Sequence, residues 1–151
     1  MARRVFILNG PNLNMLGRRE PHLYGRTTLP EIEKRCQELA GDLDFDLFFG
    51  QSNSEGQVID WLHRAYDEQA SVIINPAGLS TRSVSVLDAL RMLDQPVIEV
   101  HLTNIFDRQA IYHSELLTAR AATAFLAGFG AAGYELGMRA LTSLPGSERE
   151  G

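Results

Sequence analysis

Four short, almost unbroken apolar runs do most to limit what this chain can fold into: VFIL (Val5 to Leu8), FDLFF (Phe45 to Phe49), SVII (Ser71 to Ile74) and PVIEV (Pro96 to Val100). Each is too short for a stable helix, rich in strand formers, and bounded by polar or turn-forming residues. Between them the apolar residues recur at helical spacing. Thr28 offers an N-cap to LPEIEKRCQELAGDL, Pro30 and Glu31 suit a first turn, and this helix is expected to end near Gly41. Val58, Ile59, Leu62 and Ala65 form the apolar stripe of a helix over Glu55 to Gln69. Ser83 to Leu93 reads as a third helix and Ala131 to Leu141 as a last one.

Strands that are apolar throughout and alternate with helices belong to a parallel sheet covered on both sides. With AFLAG (Ala124 to Gly128) as a fifth strand, the expected class is α/β, a flavodoxin-like doubly wound five-stranded parallel sheet with helices on both faces. No repeat or linker interrupts the pattern, so residues 1–144 read as one domain and 145–151, PGSEREG, as a flexible C-terminal tail. The formal net charge of −5 argues against binding nucleic acid or any other polyanion. Lys34 is the sole lysine, which leaves cationic chemistry to arginine, whose planar fork suits carboxylates. With Cys36 the sole cysteine, no disulfide can form within the chain, which fits a reducing compartment. MARRVFILNG lacks the apolar core of a signal peptide, and no run approaches the length of a membrane span, so a cytoplasmic protein is expected.

Ligands of such sheets bind beyond the carboxyl ends of the strands. Three polar segments emerge there: NGPNLN after the first strand, NPAGLSTRS after the third and HLTNIFDR after the fourth. Asn-Gly and Asn-Pro are also ordinary turn residues, but three such loops at one edge, one of them opening on a histidine, point to a site. The first loop lacks G-x-G-x-x-G, and no Walker pattern occurs, so neither a dinucleotide nor a nucleoside triphosphate site is supported. A phosphorelay receiver would need acids after the first strand, where this chain has asparagine. Four scattered histidines and one cysteine give no metal-ligand spacing. The connection NGPNLNMLGRREPHLYG, Asn9 to Gly25, is unusually long for a link between a strand and a helix.

ILNGPNLNMLGRREPHLYG, then QSNSEG, INPAGLSTRSVSVLDAL and PVIEVHLTN, resemble the type II 3-dehydroquinate dehydratase family over roughly residues 5 to 141. The resemblance implies trimers assembled into dodecamers, and cofactor-free, metal-free elimination of water from a small cyclic keto acid, 3-dehydroquinate. Such an elimination needs a base for the α proton, a stabiliser for the enolate and an acid for the departing hydroxyl. By resemblance Tyr24 is the base and Arg19 its activator, with Arg108 a second contributor. A phenol is a poor base at neutral pH unless a cation favours its charged form, and arginine stays protonated throughout. Asn12 matches the residue that holds a water against the enolate oxygen. His101 matches the general acid, and Glu99, two residues earlier on the same strand face, is placed to orient its imidazole. Asn75, Leu102 and Thr103 match the pocket for the substrate carboxylate, and Asp88 the acid that reaches a neighbouring subunit's site. The long connection then supplies Asn12 and a mobile lid carrying the base. His22 and His63 are left as surface residues.

Two positions depart from the family's pattern. Thr81 stands where THTS would place a histidine, with Arg82 beside it; Tyr112 stands where an arginine is expected, and one residue is lost before His113. Both missing groups would bind ring hydroxyls. Three readings stay open: a dehydratase in which Arg82 and His113 compensate, a divergent enzyme of specialised metabolism acting on another cyclic keto acid, and a non-catalytic binding protein on the same scaffold.

Overall fold

The computed structural model describes residues 2–146. Five strands, β1 (Arg3–Asn9), β2 (Phe45–Gln51), β3 (Ser71–Asn75), β4 (Val97–His101) and β5 (Ala124–Ala127), form one sheet in the order β2-β1-β3-β4-β5. All four pairings are parallel. The order reverses at β1, so the crevice between the loops after β1 and β3 is the topological switch point. The helices are α1 (Pro21–Tyr24), α2 (Leu29–Leu43), α3 (Glu55–Asp67), α4 (Leu79–Arg82), α5 (Val84–Arg91) and α6 (Ala132–Leu141). The expected α/β, flavodoxin-like sheet with helices on both faces is the observed one. The expected tail lies, from residue 147 on, outside the described residues.

Strand alternation divides the core in two. Val5, Ile7, Ile73 and Val100 face α2 and α6, meeting Ile32, Cys36 and Met138; Phe6, Leu8, Val72 and Ile74 face α3 and α5, meeting Leu62, Val86 and Leu90. Period-2 alternation of large apolar side chains on both faces is what makes the strands read as continuous apolar runs. The edge strands β2 and β5 are mostly half-buried, so full coverage applies to the inner three. Burial pushes the Cys36 thiol up to about 12, with Glu135 and Glu33 adding to the shift, so it stays a neutral apolar group.

Boundaries depart from expectation where capping decides them. Thr28 Oγ1 accepts from the Glu31 amide, as a cap should, but α2 runs past Gly41 to Leu43 and ends at Asp44 in the left-handed conformation (φ 57°). Ser83 caps α5 rather than opening it, its Oγ accepting from the Val86 amide at 2.9 Å. Short elements inside the loops were not legible. The long Asn9–Gly25 connection contains a 3₁₀ turn (Leu13–Met15) and α1, and NPAGLSTRS contains α4. Among the described residues, no helix is long and apolar enough to cross a membrane.

Register places the site. Asn9, the last residue of β1, pairs with Gln51 on one side and Asn75 on the other. Gly10 then passes against the β3 loop, donating its amide to Asn75 O at 2.9 Å. A Cβ at Gly10 would lie 2.4 Å from the Pro76 carbonyl oxygen, so glycine is required for this approach.

Candidate active site

The loops after β1, β3 and β4 enclose a cleft of about 160 Å³. Ten of the residues singled out in the sequence line it: Asn12, Arg19, Tyr24, Asn75, Thr81, His101, Leu102, Thr103, Arg108 and Tyr112. Two arginines and a histidine face it, and no carboxylate is in its lining, so a cleft in an acidic protein is locally cationic.

Tyr24 ends α1, the helix that Pro21 starts and Gly25 (φ 83°) stops. Its hydroxyl receives a hydrogen bond from Arg108 Nη1 at 2.8 Å. The guanidinium carbons of Arg19 and Arg108 each lie 5.4 Å from its ring centroid. The expected activator, Arg19, therefore lies over the ring and pairs with Glu20 at 3.7 Å, while Arg108, expected as a second contributor, makes the contact with the phenol oxygen. Arg19 sits in the same loop as Tyr24, whereas Arg108, from the loop after β4, meets the oxygen. A donor held there stabilises the phenolate more than the phenol.

His101 is the last residue of β4, and Glu99 is fully buried behind it. His101 Nε2 lies 2.8 Å from Glu99 Oε2, and the buried Thr118 hydroxyl donates to the other oxygen of that carboxylate. Both carboxylate oxygens are thus satisfied, and Nδ1 is the imidazole nitrogen left for the cleft. Thr118 is a positioning group that sequence inspection missed, since nothing local marks it.

Asn12 adopts a left-handed conformation (φ 70°), and its amide donates to Asn53 Oδ1 at 2.9 Å. Asparagine tolerates that conformation better than most residues. Asn75 is held from behind: its Nδ2 donates to Tyr134 Oη at 3.0 Å, Tyr134 Oη donates to Asn9 Oδ1 at 2.6 Å, and Asn75 Oδ1 accepts from the Ala77 amide at 3.2 Å. Burial keeps the Tyr134 phenol protonated, its titration pushed far up despite the lowering bond from Asn75. Asn9 and Tyr134 were also missed; an Asn-Gly turn and an aromatic in an apolar helix carry no signal for a polar network.

Two expectations, those for Arg82 and His113, need correction. Arg82 is exposed and does not line the cleft: α4 turns by about 100° per residue, so Thr81 facing inward sends Arg82 out. His113 does not line the cleft either; its Nε2 lies 3.1 Å from the Arg108 carbonyl oxygen. Asp88, expected to serve a neighbouring subunit, is exposed on α5, outside this chain's own cleft. Among the described residues, no cluster of three histidine, cysteine or acidic side chains could hold a metal ion.

A phenol gripped by a guanidinium and an imidazole backed by a carboxylate, opening on one cationic cleft at the switch point, define the class: an α/β enzyme of proton transfer on a small molecule. Comparison with known proteins gives the family. The chain belongs to the class II dehydroquinases, whose family model, described as Dehydroquinase class II, matches residues 3–142. It is 46% identical over 150 residues to the 3-dehydroquinate dehydratase of Brucella abortus (strain S19), covering 99% of this chain and 95% of that one. It is 44% identical over 144 residues to the 3-dehydroquinate dehydratase of Cereibacter sphaeroides (strain ATCC 17029 / ATH 2.4.9), covering 95% and 97%. Its fold superposes on the type II dehydroquinase of Propionibacterium acnes with a TM-score of 0.91 at 39% identity, covering 95% of this chain and 98% of that one.

Proposed function

We propose that this chain eliminates water from 3-dehydroquinate to give 3-dehydroshikimate, a hydro-lyase step of the shikimate pathway that runs through an enolate. The observation that carries the reading is the 2.8 Å bond from Arg108 Nη1 to Tyr24 Oη, in a cleft that also holds His101 and Asn12. The Tyr24 phenolate takes the proton next to the ketone, and the C–H electron pair moves into the enolate. Asn12, an untitratable dipole, stabilises the enolate oxygen through a bound water. As the enolate collapses, the β C–O bond breaks, and His101 protonates the departing hydroxyl from Nδ1 while Glu99 holds the other side of the ring. The substrate carboxylate is held by Asn75 and by the Leu102 and Thr103 loop. Formation of the conjugated enone absorbs in the ultraviolet. A time course with 3-dehydroquinate is expected to show that absorbance rise, and a flat trace with folded protein overturns the reading.

A second reading, a divergent enzyme acting on a less hydroxylated cyclic keto acid, is favoured by one observation: Thr81 Oγ1 is turned back to Gly78 O at 3.3 Å. The exposed position of Asp88 supports a homo-oligomer, a dodecamer built from trimers, in which this acid serves a neighbour's cleft. Light scattering on fully active, cytoplasmically expressed protein is expected to give an assembly of that size; a fully active monomer is the contrary result.

A further inference from the structure

Arg108 makes the bond on which base activation depends, yet among the described residues no carboxylate pairs with it. An unpaired arginine side chain would sample many rotamers and spend little time on one oxygen. What restrains it here is an aromatic face. The Arg108 guanidinium carbon lies 3.8 Å from the Tyr112 ring centroid and 5.4 Å from that of Tyr24. A 3₁₀ turn over Ala110–Tyr112 brings that ring back beneath a residue four positions earlier, and His113 Nε2 sits against the Arg108 carbonyl.

We infer that Tyr112 is a positioning residue whose ring face holds the Arg108 guanidinium on the Tyr24 hydroxyl. This rests on the proposed dehydratase reading and adds to it a second use for the position at which the resembled pattern has arginine. An arginine there would offer no such face and would repel Arg108. The aromatic at this position therefore exchanges a substrate contact for order in the activating cation, and it acts through Arg108 alone.

The test is a double-mutant cycle in the full chain, using Tyr112→Leu, Arg108→Gln and the pair, with dehydroquinate as substrate. A cation–π contact with a partly exposed ring predicts a loss in kcat of roughly 2- to 5-fold for Tyr112→Leu. That loss is expected to disappear in the Arg108→Gln background, and Tyr112→Phe, which keeps the face, is expected to restore kcat. Equal losses in both backgrounds, or a Phe variant as slow as Leu, overturn the inference. A second readout needs no turnover: the backbone-independent NMR order parameter of the Arg108 Nε–Hε vector in the ligand-free protein. It is expected to be high in the parent and Phe variant and to fall in Tyr112→Leu; an unchanged value there overturns the inference even if the parent is silent on dehydroquinate, an outcome that would separately defeat the functional reading.

Discussion

Tyr24→Phe is expected to lower turnover of dehydroquinate by roughly 10²–10⁴-fold or more, the usual worth of a positioned proton-transfer group. The substitution removes one oxygen and leaves the ring, whose centroid is 5.4 Å from the guanidinium carbons of both Arg19 and Arg108. No buried polar network is broken, since the hydroxyl bonds only to Arg108, itself half-buried at the mouth of the cleft. The fold and the binding of product should therefore survive, and the loss should fall on kcat rather than on KM. No other group can replace the base. The lining has no carboxylate, Asn75 is an amide already committed to Tyr134 and Ala77, and the His101 imidazole is held by Glu99. Tyr112 is the remaining phenol of the lining, and its ring packs on the Arg108 guanidinium at 3.8 Å. Steady-state kinetics with a melting curve on the same preparation checks this. A near-normal rate in a folded Tyr24→Phe protein would show that the proton is taken by something else.

The sheet was legible because its evidence is local. Apolar runs such as VFIL and SVII carry their own strand signal, and the pairing of Asn9 with Asn75 follows once the order of strands is known. Proline, threonine and serine marked helix starts within a residue or so, while Leu43 and Asp44 escaped because a left-handed aspartate at a helix end leaves no compositional mark. Most of the cleft was also legible, through motifs whose residues lie at strand ends. What was not legible depends on contacts between distant parts of the chain. Tyr134 joins Asn9 and Asn75 across 125 and 59 positions, Thr118 reaches Glu99 from another loop, and Arg108 rather than Arg19 meets Tyr24 Oη from 84 positions away. Sequence spacing favours the near neighbour, Arg19; geometry favours the side chain that arrives end-on. Arg82 fails for the complementary reason: adjacency to Thr81 in the chain means divergence on a helix.

Thr81→His is expected to raise kcat/KM for dehydroquinate by roughly 10- to 100-fold, and the structure gives the reason. The ring hydroxyls of this substrate need hydrogen-bonding partners when they leave bulk water for the cleft. Thr81 lines that cleft, but its hydroxyl is turned to Gly78 O at 3.3 Å, within its own turn. Neither candidate for compensation is at hand: Arg82 is exposed, and the His113 ring is engaged at the Arg108 carbonyl. A hydroxyl buried without a partner costs about 1–3 kcal/mol, and a charge-assisted bond contributes about 1.5–3 kcal/mol. At about 1.4 kcal/mol per tenfold, one restored bond gives the stated gain. The single substitution is the clean one, because changing Tyr112 to arginine at the same time would also disturb the stack on Arg108. The gain should be confined to rings that carry the hydroxyl, so the same measurement on a deoxy analogue should show little change. A natural protein that is already fast on dehydroquinate and is slowed by Thr81→His would end the altered-recognition idea and leave an unmodified dehydratase, with the ring held by backbone groups of the α4 turn instead.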